Sequence, residues 1–286
     1  MQHKMLFDNT KISLLGLGTW GFGGTVEKET NHDIECINVI KYAIKQGINY
    51  IDTGEFYANG HTEELIGRAI KEFDRKDIFL SVRAGVENLS YDDLINSAEK
   101  SLKKLDTDYI DLYMPQKSNP NIPLKETIKT LNYLVDQHLI KYIGVSNFSV
   151  EKFNEAQLYS NYKIVANQVE YSLLIRNNSH LNSNVESEVI PFCQKNNILV
   201  IAWRPLAAGR LFNQSFQTLD SLAKKYEKTK AQIALNWLIS KNIIAIPKAS
   251  NISHIKENLG ALGWNLEDED IKRLDNLEKS LNDNGQ

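Results

Sequence analysis

The 286-residue chain has no long apolar run, two cysteines only and no surplus of either charge, and each shortage excludes a class of protein. No window approaches the roughly 20 consecutive apolar residues that cross a bilayer, so no membrane partner is expected. Residues 1–7 hold no apolar signal core followed by small residues, so the expected location is cytoplasmic. Cys36 and Cys193 lie far apart within helical patterns, with no paired His or Cys beside them. They read as buried small apolar residues in a reducing compartment, and no metal is expected. Lys and Arg number 33 against 36 Asp and Glu, a net charge of −3 without segregation of sign, which argues against a nucleic-acid partner. No linker or low-complexity tract interrupts the chain. One domain spanning 1–286 is expected, with its oligomeric state open.

What is present is alternation. Apolar residues make up 42% and charged ones 24%, ordinary values for a globular core. Strand-like runs fall at 14–17, 48–51, 78–82, 109–113, 142–145, 164–166, 198–202 and 243–246. A small hairpin over residues 6–13 is expected around Asp8-Asn9-Thr10. Between the runs lie amphipathic helices, with one face carrying Ile34, Ile37, Ile40 and Ile44, and a second carrying Ile95, Ala98, Leu102 and Leu105. Leu124, Ile128, Leu131 and Leu134 form a third face, and Ile252, Ile255, Leu259 and Leu262 a fourth. Ser90-Tyr91-Asp92-Asp93 reads as a helix cap. Eight units of roughly 30 residues, with strands apolar enough to be buried on both faces, predict a single α/β domain, a closed parallel (β/α)8 TIM barrel. A C-terminal helix completes it. A doubly wound sheet is the rival, but no helical pattern opens directly after Gly16-Leu17-Gly18-Thr19-Trp20-Gly21. The barrel directs attention to the loops after the C-terminal strand ends.

One stretch there is specific. Asp52-Thr53-Gly54-Glu55-Phe56-Tyr57, followed by Glu63-Glu64-Leu65-Ile66-Gly67, places an Asp at a strand end and a Tyr five residues on. A lone Asp and loop Tyr at that spacing would be a turn former and a packing residue. The whole run resembles the signature of the aldo-keto reductases, and later blocks of that family recur in order to about Leu274. The resemblance implies hydride transfer from a nicotinamide to a carbonyl carbon, with Tyr57 protonating the oxygen and Asp52 supporting it. Free tyrosine, with a pKa of about 10, needs that support.

The nucleotide half resembles the family closely. It assigns Gly18, Thr19, Trp20 and Asp52 to the cofactor side, with Ser146, Asn147 and Gln168 as partners of the nicotinamide carboxamide. An amide ligand needs both donors and acceptors, which Asn and Gln offer. Trp203 takes the place of the stacking aromatic, and Arg204, Pro205, Leu206, Gly209 and Arg210 that of the pyrophosphate loop. Each arginine reads equally as a solvated surface residue. Lys248 and His254 match the 2′-phosphate site, and Glu257 and Asn258 the adenine contacts. NADP(H) is favoured by Lys248. NAD(H) stays open, because His254 stands where many members have the forked guanidinium of Arg.

The catalytic half departs in two places. Arg83 stands where the family has Lys, and Gln116 where it has His. Arg83 keeps a positive charge that can pair with Asp52, but it never releases its proton. Gln116 can donate an N–H to a carbonyl without becoming cationic. Gly85, in place of a common bulky aromatic, suggests a wider substrate pocket or simply a different loop. The expected function is NADP(H)-dependent reduction of a small aldehyde or ketone by Asp52, Tyr57, Arg83 and Gln116. The alternatives are a nucleotide-binding sensor with little turnover, and redox-neutral or carbon–carbon double-bond chemistry in the same pocket.

Overall fold

In the computed structural model, which describes residues 1–177, 184–213 and 215–277, strands and helices alternate as the sequence pattern predicts. Residues 278–286 of the expected domain lie outside this description. A hairpin of β1 (His3–Met5) and β2 (Lys11–Ser13) precedes β3 (Leu17–Gly18), α1 (Asp33–Lys45) and β4 (Tyr50–Gly54). There follow α2 (His61–Ile70), β5 (Phe79–Ala84), α3 (Tyr91–Leu105), β6 (Ile110–Pro115), α4 (Leu124–Asp136) and β7 (Ile140–Ser146). The second half runs through α5 (Val150–Tyr159), β8 (Ile164–Glu170), α6 (Ile190–Lys195), β9 (Leu199–Trp203), α7 (Gln217–Tyr226) and α8 (Lys230–Ser240). It ends with β10 (Ile244–Ala245), α9 (Ile252–Leu259) and α10 (Asp268–Asp275).

Strands β3 to β10 form one parallel sheet in sequence order. Parallel bridges Leu15 to Ala245 and Gly18 to Lys248 join its two edges and close the barrel. At the seam the Gly18 N–H donates to the Pro247 carbonyl at 3.1 Å, and a Cβ on Gly18 would stand 2.7 Å from the Ile246 oxygen. A side chain there would hold the edges apart. The hairpin covers the N-terminal mouth, where the Ser13 N–H donates to Asn49 Oδ1 at 2.8 Å and Lys4 Nζ to the Asn242 carbonyl at 3.1 Å.

Several strands extend beyond their apolar runs. The run at 48–51 becomes Tyr50–Gly54, that at 78–82 becomes Phe79–Ala84, and that at 164–166 becomes Ile164–Glu170. The backbone ladder continues regardless of side chain, so Asp52, Arg83 and Gln168 ride on strand ends that hydropathy alone reads as loop. The seam departs the other way, with β3 at Leu17–Gly18 rather than 14–17.

Helix faces needed correction in detail. Ile34 is 69% exposed, and the buried stripe of α1 is Cys36, Ile37, Val39, Ile40 and Ala43. At about 3.6 residues per turn, Ile34 falls on the opposite side of that stripe. Ile252 is likewise exposed in the first turn of α9, whereas Leu124, Ile128, Leu131 and Leu134 are all buried. Ser90 occupies the cap position of α3, but its hydroxyl bonds the Asp93 carboxylate at 2.5 Å rather than a backbone N–H. Cys36 and Cys193 are both buried free thiols; burial raises both pKa values, that of Cys193 to about 12.

Gly67 sits in α2 against the end of α3, where a Cβ would meet the Leu105 oxygen at 2.7 Å and the Lys104 oxygen at 2.8 Å. Replacing a mid-helix Gly with Ala ordinarily stabilises by about 1 kcal/mol. Here the contact is with backbone. Gly67→Ala is expected to destabilise by about 1–3 kcal/mol, read as a lower urea midpoint.

Candidate active site

Register builds the interior of the barrel in layers. Tyr50 pairs with Phe79, Asp52 with Ser81, and Gly54 with Arg83, so alternate residues of β4 and β5 stack on one face. The lowest layer is aromatic, with Tyr50 and Phe79 stacked at 5.6 Å. The next is polar. Asp52 is buried and accepts three hydrogen bonds: from Arg83 Nη2 at 2.9 Å, Gln168 Nε2 at 2.7 Å and Ser81 Oγ at 3.2 Å. The same Arg83 nitrogen donates to the Tyr57 hydroxyl. One buried guanidinium therefore bridges carboxylate and phenol.

Tyr57 reaches this point from a tight turn. Ala58, Asn59 and Gly60 follow it with φ of 48°, 53° and 85°, all left-handed, and α2 opens at His61. Trp20 meets the Tyr57 ring edge-on at 4.7 Å and Phe56 at 5.0 Å. Burial raises the Tyr57 pKa above 10; Arg83 opposes the shift and Asp52 reinforces it. Burial also pushes Asp52 up from its ordinary range, against Arg83, Gln168 and Ser81. Arg83 stays charged, because Asp52 and Tyr57 outweigh the burial that would lower its pKa.

A cavity of about 680 Å³ opens over these groups and runs along the C-terminal strand ends to α9. Of the residues singled out in the sequence, Asp52, Tyr57, Arg83 and Gln116 line one end. Gly18, Trp20, Asn147, Trp203, Arg204, Pro205, Leu206 and Gly209 line the middle, and Lys248, His254, Glu257 and Asn258 the far end. Four others do not line it. Thr19 is buried, its hydroxyl donating to the Asp52 carbonyl at 2.8 Å. Ser146 is buried and accepts from Asn147 Nδ2 at 3.0 Å. Gln168 is turned to Asp52, and Arg210 points back onto its own loop, Nε donating to the Ala207 carbonyl at 3.2 Å. Gly85 also lies outside this cavity, so its missing side chain does not widen the pocket over Tyr57. Phe56, Phe212, Ile246 and Ser250 line the cavity as well. Phe56 comes with the turn to Tyr57, Phe212 with the segment after β9, and Ile246 and Ser250 with the seam strand and the loop before α9.

The arrangement suits a dinucleotide. Gln168 Oε1, below the cavity, is buried without a partner among the described residues. Asn147 is held with left-handed φ, donating from Nδ2 to the Gln116 carbonyl at 3.1 Å and accepting from Trp203 Nε1 at 3.1 Å. This steadies the indole wall. At the far end the exposed Lys248, Ser250 and His254 flank the N-terminus of α9, whose backbone donors and dipole favour an anion.

A model of the aldo/keto reductase family matches residues 14–279. The chain belongs to that family. It is accordingly an oxidoreductase of the aldo-keto reductase type. A methylglyoxal reductase of Escherichia coli (strain K12) is 32% identical, over 96% of this chain and 95% of its own. A glyoxal reductase of Bacillus subtilis (strain 168) is also 32% identical, over 90% and 88%. Among solved structures, a thermostable aldo-keto reductase bound to the inhibitor epalrestat superposes with a TM-score of 0.91 at 43% identity, covering 97% of this chain and all 100% of the other. An aldo-keto reductase of Klebsiella pneumoniae in complex with NADP and acetate gives 0.84 at 32%, covering 95% and 93%. These likenesses establish the barrel and the family.

Behind the Tyr57 turn lies Glu63, fully buried, with neither carboxylate oxygen hydrogen-bonded among the described residues and Lys104 Nζ 4.0 Å away. Burial raises its pKa from 4.5 to about 7. The unfolded chain gives up this proton at lower pH than the folded one. The Glu63 contribution to stability is therefore full below pH 4.5 and falls as pH rises to about 7, by about 3 kcal/mol. Glu63→Gln should flatten the urea midpoint across that window. Arg83→Met is expected to cost about 3–5 kcal/mol in the same measurement, because it strands the buried Asp52 carboxylate.

Proposed function

We propose that this aldo-keto reductase is an NADP(H)-dependent carbonyl reductase in which Tyr57 is the proton donor to a small aldehyde or ketone. The observation that carries the reading is the Arg83 bridge at the floor of the cavity. A guanidinium only donates, so the Tyr57 oxygen accepts from Arg83, and its own proton is left to point toward a ligand. A nicotinamide, when bound beside Asn147 and Trp203, would supply the hydride. Tyr57 transfers its proton to the carbonyl oxygen, and Arg83, held by Asp52, stabilises the phenolate that results. Gln116 lines the same end of the cavity and offers an N–H to the carbonyl. Burial raises the Tyr57 pKa and Arg83 opposes the rise, so the donor is protonated at neutral pH and Arg83 is the group that eases release of its proton. Lys248 at the far end supports NADP over NAD, by charge on the 2′-phosphate. Relatives named for methylglyoxal and glyoxal make small aldehydes the first substrates to try.

The departures at Arg83 and Gln116 favour a second reading, a protein that binds the nucleotide and turns over little. Calorimetric titration with NADPH and with NADH, followed by NADPH consumption with methylglyoxal, separates the two. Tight NADPH binding with turnover supports the reductase, tight binding without turnover on any small aldehyde supports the sensor, and no binding overturns both. In the reductase, Tyr57→Phe is expected to lower kcat at least about 100-fold with NADPH affinity unchanged.

A further inference from the structure

The residue two before Tyr57 ties together the segments that carry the bridge. Glu55 follows β4, and its N–H donates to the Arg83 carbonyl at 3.1 Å. Its carboxylate then reaches past Arg83. Oε1 accepts from the Gly85 N–H and from Asn88 Nδ2 at 3.0 Å, and Oε2 accepts from Ser97 Oγ on α3. Ser97 Oγ in turn accepts from the buried Tyr113 hydroxyl of β6 at 3.1 Å. A carboxylate only accepts, so it matches all three donors at once. Main chain and side chain of Glu55 therefore grip the end of β5 at Arg83 and again at Gly85. Between those points the Ala84 carbonyl accepts from the Gln116 N–H at 3.0 Å, which binds the Gln116 strand end to the same segment.

Gly85 belongs to this arrangement. Its φ of −63° and ψ of 151° are open to any residue, so its backbone does not require glycine. Space does, because a Cβ there would stand 3.0 Å from Glu55 Oε1. Arg83 in turn relies on its backbone. One nitrogen, Nη2, makes both bonds of the bridge, and Nε has no partner among the described residues. We propose that Glu55 is a positioning residue for proton transfer, its carboxylate fixing the loop that carries Tyr57 to the strand end that carries Arg83. The proposal rests on the reductase reading. Glu55 does not line the cavity over Tyr57, so it acts through these two residues.

Three variants test it, with methylglyoxal as substrate. Glu55→Ala is expected to lower kcat about tenfold or more, since small misplacements of reacting groups are costly. NADPH affinity by calorimetry should be unchanged, and the solvent deuterium isotope effect should grow as proton transfer slows. Glu55→Gln keeps an oxygen for Gly85 and Asn88 and can turn its N–H on the Ser97 hydroxyl, so it should retain wild-type kcat. Gly85→Val displaces the carboxylate and should lower kcat as Glu55→Ala does. Wild-type kcat in Glu55→Ala or Gly85→Val, even with a lower urea midpoint, or an equal loss in Glu55→Gln, overturns the proposal and leaves the reductase reading standing. If the wild type reduces no aldehyde, the reductase reading fails, and fluorine NMR of fluorotyrosine-labelled protein decides the positioning role separately. The Tyr57 signal is the one missing from Tyr57→Phe. Burial raises the Tyr57 pKa, Arg83 and Arg204 oppose the rise, and Asp52 reinforces it. A loosened Arg83 should move the Tyr57 titration to higher pH in Glu55→Ala but not in Glu55→Gln, whereas loss of the Glu55 charge alone would lower it in both. An unmoved or lowered titration in Glu55→Ala overturns the proposal.

Discussion

A buried guanidinium shared between a carboxylate and a phenol organises this barrel. Arg83 would be costly at the top of the sheet alone, as would Asp52, because each loses its water there. Together, with Gln168 and Ser81 on the remaining carboxylate oxygen, they form a paired polar layer above the aromatic pair Tyr50 and Phe79, with Arg83 Nε and Gln168 Oε1 left without partners among the described residues. Strand register puts Asp52 opposite Ser81 and Gly54 opposite Arg83, so the layer exists only in the closed sheet. Closure in turn depends on the seam at Gly18, where backbone approaches backbone too closely for a side chain.

The same bridge shapes the chemistry. A lysine in that place could take up and release protons; an arginine cannot, so the exchangeable proton over the cavity floor belongs to Tyr57. The left-handed run Ala58, Asn59, Gly60 delivers Tyr57 onto Arg83, and Trp20 and Phe56 close around the ring. Toward α9 the cavity changes from this charged floor to an indole wall and then to Lys248, a progression that suits a ligand with an aromatic amide at one end and phosphate at the other.

The motif from Asp52 to Gly67, with the pairs Ser146-Asn147 and Trp203-Arg204, was legible without coordinates because each is a contiguous run at a strand end. The barrel was legible for a similar reason: alternation of apolar runs and helical stripes is a local property. Legibility failed where neighbours in space are distant in sequence. Hydropathy ended β4 and β5 short of Asp52 and Arg83, since polar side chains inside a barrel look like loop when read along the chain. Ile34 belonged to a plausible stripe, yet the rotation of α1 against the sheet leaves it outside. Arg210 matched a loop pattern but bonds its own backbone instead of facing the cavity.

By itself, then, the amino-acid order determined the fold class and the family. These are matters of residue type and spacing, which the chain carries in one dimension. Only the tertiary structure decided that one nitrogen of Arg83 reaches both Asp52 and Tyr57, that Gln168 spends its donor on Asp52, and that the Gly85 N–H meets the Glu55 carboxylate. Hydrogen bonds and cavities depend on distances between strands remote in sequence, and those are set by barrel closure and register.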